Sequence, residues 1–201
     1  MSLFEPAWKY SGYINTKKGE KALAAASTEK EQPKLAEIAT TAPLYQVRIA
    51  ALNNLQDQSV IAGIARNDSN MDVRICAINK LTDRFILLDI AKGGNPDRIR
   101  KSAWSKLIDC GMINYEEYEK SYLLPIVEDS FHRKIYERLS CLREIKTQSL
   151  LIEAVKYEST YFQDGYTLVK EAINIAKDLE IKNELTKILK EKENNNSLSP
   201  T

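Results

Sequence analysis

Val47-Arg48-Ile49-Ala50-Ala51-Leu52-Asn53-Asn54-Leu55-Gln56-Asp57 and Val73-Arg74-Ile75-Cys76-Ala77-Ile78-Asn79-Lys80-Leu81-Thr82-Asp83 match column by column at an offset of 26 residues. Ile99-Arg100-Lys101-Ser102-Ala103-Trp104-Ser105-Lys106-Leu107-Ile108-Asp109 supplies a third copy at the same offset, without a gap. The preceding halves align as well: Leu35, Ile61 and Leu87 share a column, as do Ile38, Ile64 and Ile90, and Ala39, Ala65 and Ala91. A period in this range marks a stack of supersecondary units, each unable to bury its apolar face alone.

Within one copy, Ile61, Ile64 and Ala65 fall on one side of a first helix. Val73, Ala77 and Leu81 fall on one side of a second. Turn-forming stretches separate the two: Thr41-Ala42-Pro43, Asn67-Asp68-Ser69-Asn70 and Gly93-Gly94-Asn95-Pro96. Asp57, Asp83 and Asp109 close the copies, where each is expected to cap the next helix. The expected fold class is all-α, one domain over 1–193, with clear repeats at 33–109.

The string turn–Val-Arg-x-x-Ala-x-x-x-Leu resembles the HEAT repeat of armadillo-type proteins. The resemblance implies a right-handed α-solenoid of stacked helical hairpins with terminal caps. It also implies that Arg48, Arg74 and Arg100 form a structural ladder within and between repeats, with an acidic partner near Asp68. Thr41-Ala42 and Gly93-Gly94 lack that carboxylate, which leaves Asp72 and Asp97 as substitutes. In such arrays the second helices line a concave surface. Here the face opposite Val47 and Ala51 carries Ile49 and Asn53, then Ile75 and Asn79, then Lys101 and Ser105. These six are the candidate partner-binding residues, with coverage of the isoleucines by neighbouring helices as the alternative.

Outside the clear copies the pattern loosens. Lys17 to Thr28 reads as a half-repeat, preceded by Phe4, Trp8, Tyr10 and Tyr13, either a cover for the first repeat or an aromatic patch. Degenerate hairpins are expected at 115–178. They comprise a helix with Tyr115, Tyr118 and Tyr122 that Pro125 ends or kinks, one from Ser130 to about Leu142, one near Thr147–Lys156, and one over Tyr166–Lys177. A capping helix follows at 179–192, and a disordered tail at 194–201. The seven tyrosines between Tyr115 and Tyr166 suit either packing or binding.

The composition, with 43% hydrophobic and 28% charged residues and 7 glycines, suits a helical globular chain. Net charge is +1, divided as ten basic against six acidic residues over 47–108 and thirteen against seventeen over 109–201. No dense basic stripe of the kind that tracks phosphates is present. Three separated cysteines and no hydrophobic leader or membrane-length run lead to an expected cytoplasmic location. The single His132 reads as a surface or packed residue rather than a catalyst or ligand. Gly93-Gly94 lacks the spacing of a phosphate loop. No cofactor or metal is expected.

The function expected is a non-catalytic scaffold that presents its concave surface to a protein or peptide. The alternative is a nucleic-acid-binding array resembling DNA glycosylases in fold, for which Trp104 and Asp109 are the only aromatic–acid neighbours and point to different faces. A cofactor-handling or lyase-associated helical repeat protein is a third reading.

Overall fold

The computed structural model describes residues 6–128, 133–156 and 163–197, with backbone alone at 163–165 and 195–197. Among these residues the structure is helical, without a strand, and no helix is long and apolar enough to cross a membrane. The chain divides into two compact units, Met1–Met112 and Ile113–Thr201.

In the first unit a short 3-10 turn, Ala7–Lys9, precedes α1 (Lys17–Thr28). Three hairpins follow: α2 (Gln32–Thr41) with α3 (Tyr45–Asn54), α4 (Gln58–Asn67) with α5 (Met71–Lys80), and α6 (Arg84–Lys92) with α7 (Asp97–Asp109). Corresponding helices begin 26 residues apart. Each first helix packs on its own second helix, and α1, α3, α5 and α7 pack in succession. Val47, Val73 and Ile99, at the third position of each second helix, are fully buried, as are Leu35, Ile61 and Leu87 on the first helices.

Capping chemistry sets the boundaries. The Thr16 side chain accepts from Gly19 N at the start of α1. A Cβ at Gly19 would sit 2.4 Å from the Ile14 carbonyl oxygen, so only glycine permits this close approach. Asp57 Oδ1 accepts from Ser59 N and Val60 N, and Asp83 Oδ1 from Phe85 N and Ile86 N.

Asp109 departs from this pattern. It lies inside α7, whose 13 residues exceed the 10 of α3 and α5, and it accepts from Ser105 Oγ at 3.1 Å. The helix ends instead at Gly111, whose φ of 63° is open to glycine. Met112 N donates to Leu107 O and Gly111 N to Ile108 O, the paired bonds of a Schellman end.

The second unit holds α8 (Tyr115–Tyr118), a π turn (Glu119–Leu123), α9 (Leu124–Glu128), α10 (Ile135–Glu144), α11 (Gln148–Lys156), α12 (Gln163–Ile175) and α13 (Leu179–Ser197). Pro125 does not end the helix, which runs on to Glu128. The wider π turn directly before it provides an i→i+5 bond from Leu124 N to Glu119 O, where the proline ring would otherwise crowd the preceding turn. Helix α10 starts at Ile135, because Lys134 is extended (φ −69°, ψ 147°); Ser130, Phe131 and His132 lie outside the described residues. Helix α13 runs five residues beyond Lys192, no proline intervening before Pro200.

Tyr118, Tyr122, Leu123, Leu142, Leu151 and Leu168 build the core of this unit. Tyr118 stands between Tyr115 and Tyr122, with ring centroids 5.5 and 5.6 Å away. Burial pushes its phenol well above the usual range. Tyr136 is exposed, while Tyr157 and Tyr161 lie outside the described residues.

Candidate functional site

The Arg column occupies the turn side of the first unit. Arg48 is buried and makes a fork to Asp68, with Nε–Oδ2 and Nη2–Oδ1 both 2.8 Å. Its Nη1 donates to the carbonyls of Ala42 at 2.8 Å and Pro43 at 3.3 Å. Thus a guanidinium on the first hairpin ties down the turn of the second. Arg74 repeats the reach with an amide in place of the carboxylate: Nη2 donates to Asn95 Oδ1 at 2.5 Å, and Nε to Ala65 O at 2.9 Å. Asn95 in turn donates to Ile90 O. Arg100 meets Asp97 at 3.8 Å on its own helix. Asp72 pairs with Arg98 at 2.9 Å rather than with the Arg column.

A second ladder runs along the other end of the hairpins. The Gln32 carboxamide donates to Asn54 O at 3.2 Å and accepts from Gln56 N at 2.9 Å. Gln58 does the same to Lys80 O and Thr82 N. In the second unit, Gln148 accepts from Lys177 N at 2.6 Å. Helices α2 and α4 therefore each clasp the end of their partner helix, satisfying a carbonyl and an N–H that the helix terminus leaves open. The sequence carried this signal: Gln32 and Gln58 share a repeat column, and Gln148 stands in a stretch that echoes Gln58. Between hairpins, Asn54 Nδ2 donates to Ser27 O and Lys80 Nζ to Asn53 O.

The six candidate partner-binding residues lie on α3, α5 and α7, which pack side by side. Ile49 and Ile75 are half-buried; Asn53, Asn79, Lys101 and Ser105 are exposed. Ile49 and Asn53 line a shallow trough of about 410 Å³ between α1 and α3 that also includes Leu23, Ser27 and Ala50. A neighbouring groove of about 480 Å³ is bordered by Tyr13, Ile14, Pro43, Tyr45 and Asn70. Tyr13 is 81% exposed, whereas Trp8 is buried, so the N-terminal aromatic group is split between cover and surface. Phe4 lies outside the described residues.

Gln46 lines both grooves. Its Oε1 is buried and accepts no hydrogen bond. Sequence reasoning passed over it, although its column offers a signal. The equivalents Asp72 and Arg98 bridge α5 and α7 as an ion pair, while the first copy places an uncharged amide there.

No group of three or more His, Cys, Asp or Glu among the described residues is arranged to hold a metal ion. Cys76 is half-buried, its Sγ 3.5 Å from Asn53 Oδ1, and burial pushes its thiol up. Trp104 is buried and Asp109 exposed, so they share no surface. His132 lies outside the described residues. In the second unit, the buried Glu119 carboxylate accepts from the backbone N–H of Lys146 and of Thr147, and the buried Arg138 donates to Val127 O at 2.7 Å. Both groups serve the helix ends around them. Comparison of the chain with protein-family models, with curated proteins and with solved structures returns no match.

Proposed function

We propose that this chain is a non-catalytic, protein-binding array of HEAT-like hairpins whose second helices present a partner surface. The observation that carries the reading is the α1–α3 groove, where apolar Leu23, Ile49 and Ala50 lie beside polar Ser27, Gln46 and Asn53. This mixture suits a polypeptide, which offers side chains to the apolar patch and main-chain groups to the amides. The two side-chain ladders hold the helices in place before a partner arrives, which reduces the ordering that binding requires. Arg48 and Arg74 favour this reading over phosphate recognition, because their guanidinium groups are engaged by Asp68, Asn95 and backbone carbonyls. A cytoplasmic setting belongs to the same proposal, in keeping with three cysteines that form no disulfide.

The test is affinity capture from nuclease-treated lysate with the native chain and an Ile49→Asp variant whose helicity is checked by circular dichroism. A protein retained by the native chain and lost by the folded variant supports the proposal. Identical retention by both, or loss of all retained proteins on nuclease treatment, overturns it.

A further inference from the structure

The first helices of the three hairpins have an outward side, opposite their buried stripes, that neither ladder uses. Three repeat columns lie along it: Pro33, Ser59 and Phe85; Glu37, Gly63 and Asp89; Thr40, Arg66 and Lys92. Two of these residues have no reason within the chain to be what they are. Gly63 sits in the interior of α4, where glycine is less favourable than any residue but proline. Helix-interior glycine is normally kept for a close backbone approach, yet a Cβ built on Gly63 meets nothing within 4 Å. Phe85, on α6, leaves 76% of its surface in water. A bare spot and an aromatic knob thus stand on the same side of adjacent hairpins.

Charge is divided across that side in a matching way. Arg66 reaches from α4 to α6 and donates to Asp89 Oδ2 from Nε and Nη2, at 3.2 and 3.1 Å. Lys34 is held by Glu29 at 2.6 Å. Among the described residues, Glu37 and Lys92 form no ion pair, and both are exposed. Glu37 belongs to α2 and Lys92 to α6, so opposite charges flank α4 on its two sides. A surface with a negative flank, a bare centre and a positive flank is complementary to itself when turned over about its centre.

We infer that the outward side of α2, α4 and α6 docks a second copy of this chain, about a two-fold axis that runs along α4 through Gly63. Gly63 meets its counterpart on the axis, where the absence of both side chains lets the two α4 helices approach closely. Helix α2 of each copy then lies over α6 of the other. Phe85 covers Pro33 of the second copy, and Lys92 reaches Glu37, which lies one turn away along the helix. Arg66 leans toward Asp89 and away from the axis, so the two guanidinium groups do not collide. Three short helices about 10 Å apart, each about 15 Å long, give a footprint on the order of 450 Å², below the ~800 Å² per partner of a standard interface. The dimer is accordingly weak, with a dissociation constant in the micromolar range. This surface is separate from the α1–α3 groove and does not depend on the partner-binding proposal.

The experiment is sedimentation velocity on the full chain, from about 1 to about 300 μM, a span that brackets micromolar association. A concentration-dependent shift from monomer to dimer, with no larger species, is expected. Gly63→Leu places a side chain on the axis and is expected to weaken dimerisation at least tenfold while the melting temperature of the monomer stays or rises. Glu37→Lys and Lys92→Glu are each expected to weaken it at least threefold, and the double variant, which exchanges the two charges, to recover the native constant. A monomer at every concentration, open-ended assembly, indifference to Gly63→Leu, or failure of the double exchange to recover association overturns the inference.

Discussion

Replacing Arg48 by Met tests whether the buried guanidinium ties hairpin to hairpin. The side chain makes four hydrogen bonds, two to Asp68 and one each to Ala42 O and Pro43 O. The ion pair has side-chain exposures of only 10% and 7%. Its removal strands a buried carboxylate and two carbonyls, a change that costs about 3–5 kcal/mol for a buried pair. In a chain of this length, that corresponds to a fall in melting temperature on the order of 6–20 °C. Arg66, paired with Asp89 at 3.1 Å but exposed on both sides, is the internal control, and Arg66→Met is expected to cost about 0–1 kcal/mol. The assay is urea unfolding followed by tryptophan fluorescence. It reports on the first unit alone, since Trp8 and Trp104 are the only two tryptophans and both lie buried there. A double variant, Arg48→Met with Asp68→Leu, is expected to be more stable than Arg48→Met by 1 kcal/mol or more, about the coupling of a contacting pair. An Arg48→Met midpoint no lower than that of Arg66→Met refutes the reasoning.

Three further outcomes follow from the same structure. Asp57→Ala and Asp83→Ala each lose an N-cap and are expected to cost about 1 kcal/mol, whereas Asp109→Ala costs near zero; equal losses by urea unfolding contradict the assignment of Asp109 to the helix interior. Gln58→Ala removes the clasp on Lys80 O and Thr82 N and is expected to cost about 1–2 kcal/mol, measurable as a lower urea midpoint with an unchanged slope. The Glu29 carboxyl is held down to about 2, from an ordinary 4.5, by the Lys34 ammonium and by the N–H groups of Glu31 and Lys30. A depressed carboxyl contributes stability in full above pH 4.5 and loses it as pH falls towards 2. Glu29→Gln is therefore expected to destabilise at neutral pH and to match the native chain at the acid end, and an NMR titration midpoint near the ordinary value contradicts this.

Helical class and the boundaries of the hairpins were legible because the repeat writes each apolar column three times. Val47, Val73 and Ile99 are buried where periodicity places them, and Asp57 and Asp83 cap where a carboxylate precedes a helix. The third copy misled because Asp109 has the column but not the context. The helix continues until Gly111 supplies a left-handed residue, and a local end signal outweighs a repeat position. At Pro125 the sequence announces an end or a kink; the helix does not end there, and the turn before the ring widens, an adjustment with no residue signature of its own. The grooves were legible only in part. Ile49 and Asn53 follow from the helix face, but Ile75, Asn79, Lys101 and Ser105 occupy equivalent positions without lining either groove. Gln46 was missed because its column shows only an amide where the other copies have the Asp72–Arg98 pair, and an orphaned acceptor depends on what fails to approach it.

The clasping glutamines and forward-reaching arginines also make chain length a modular quantity. The glutamine bonds span 22 and 24 residues in both copies, and the forward arginine bonds 20 and 21, so excising residues 58–83 brings Arg84 directly behind Asp57, and Arg48 to the distance from Asn95 that Arg74 now has. An excision of any 26 consecutive residues within 33–109 fuses like with like, while one two residues longer or shorter rotates every downstream helix by about half a turn. Growth or loss by recombination is thereby quantised: whole hairpins are tolerated, and fractions of them are purged.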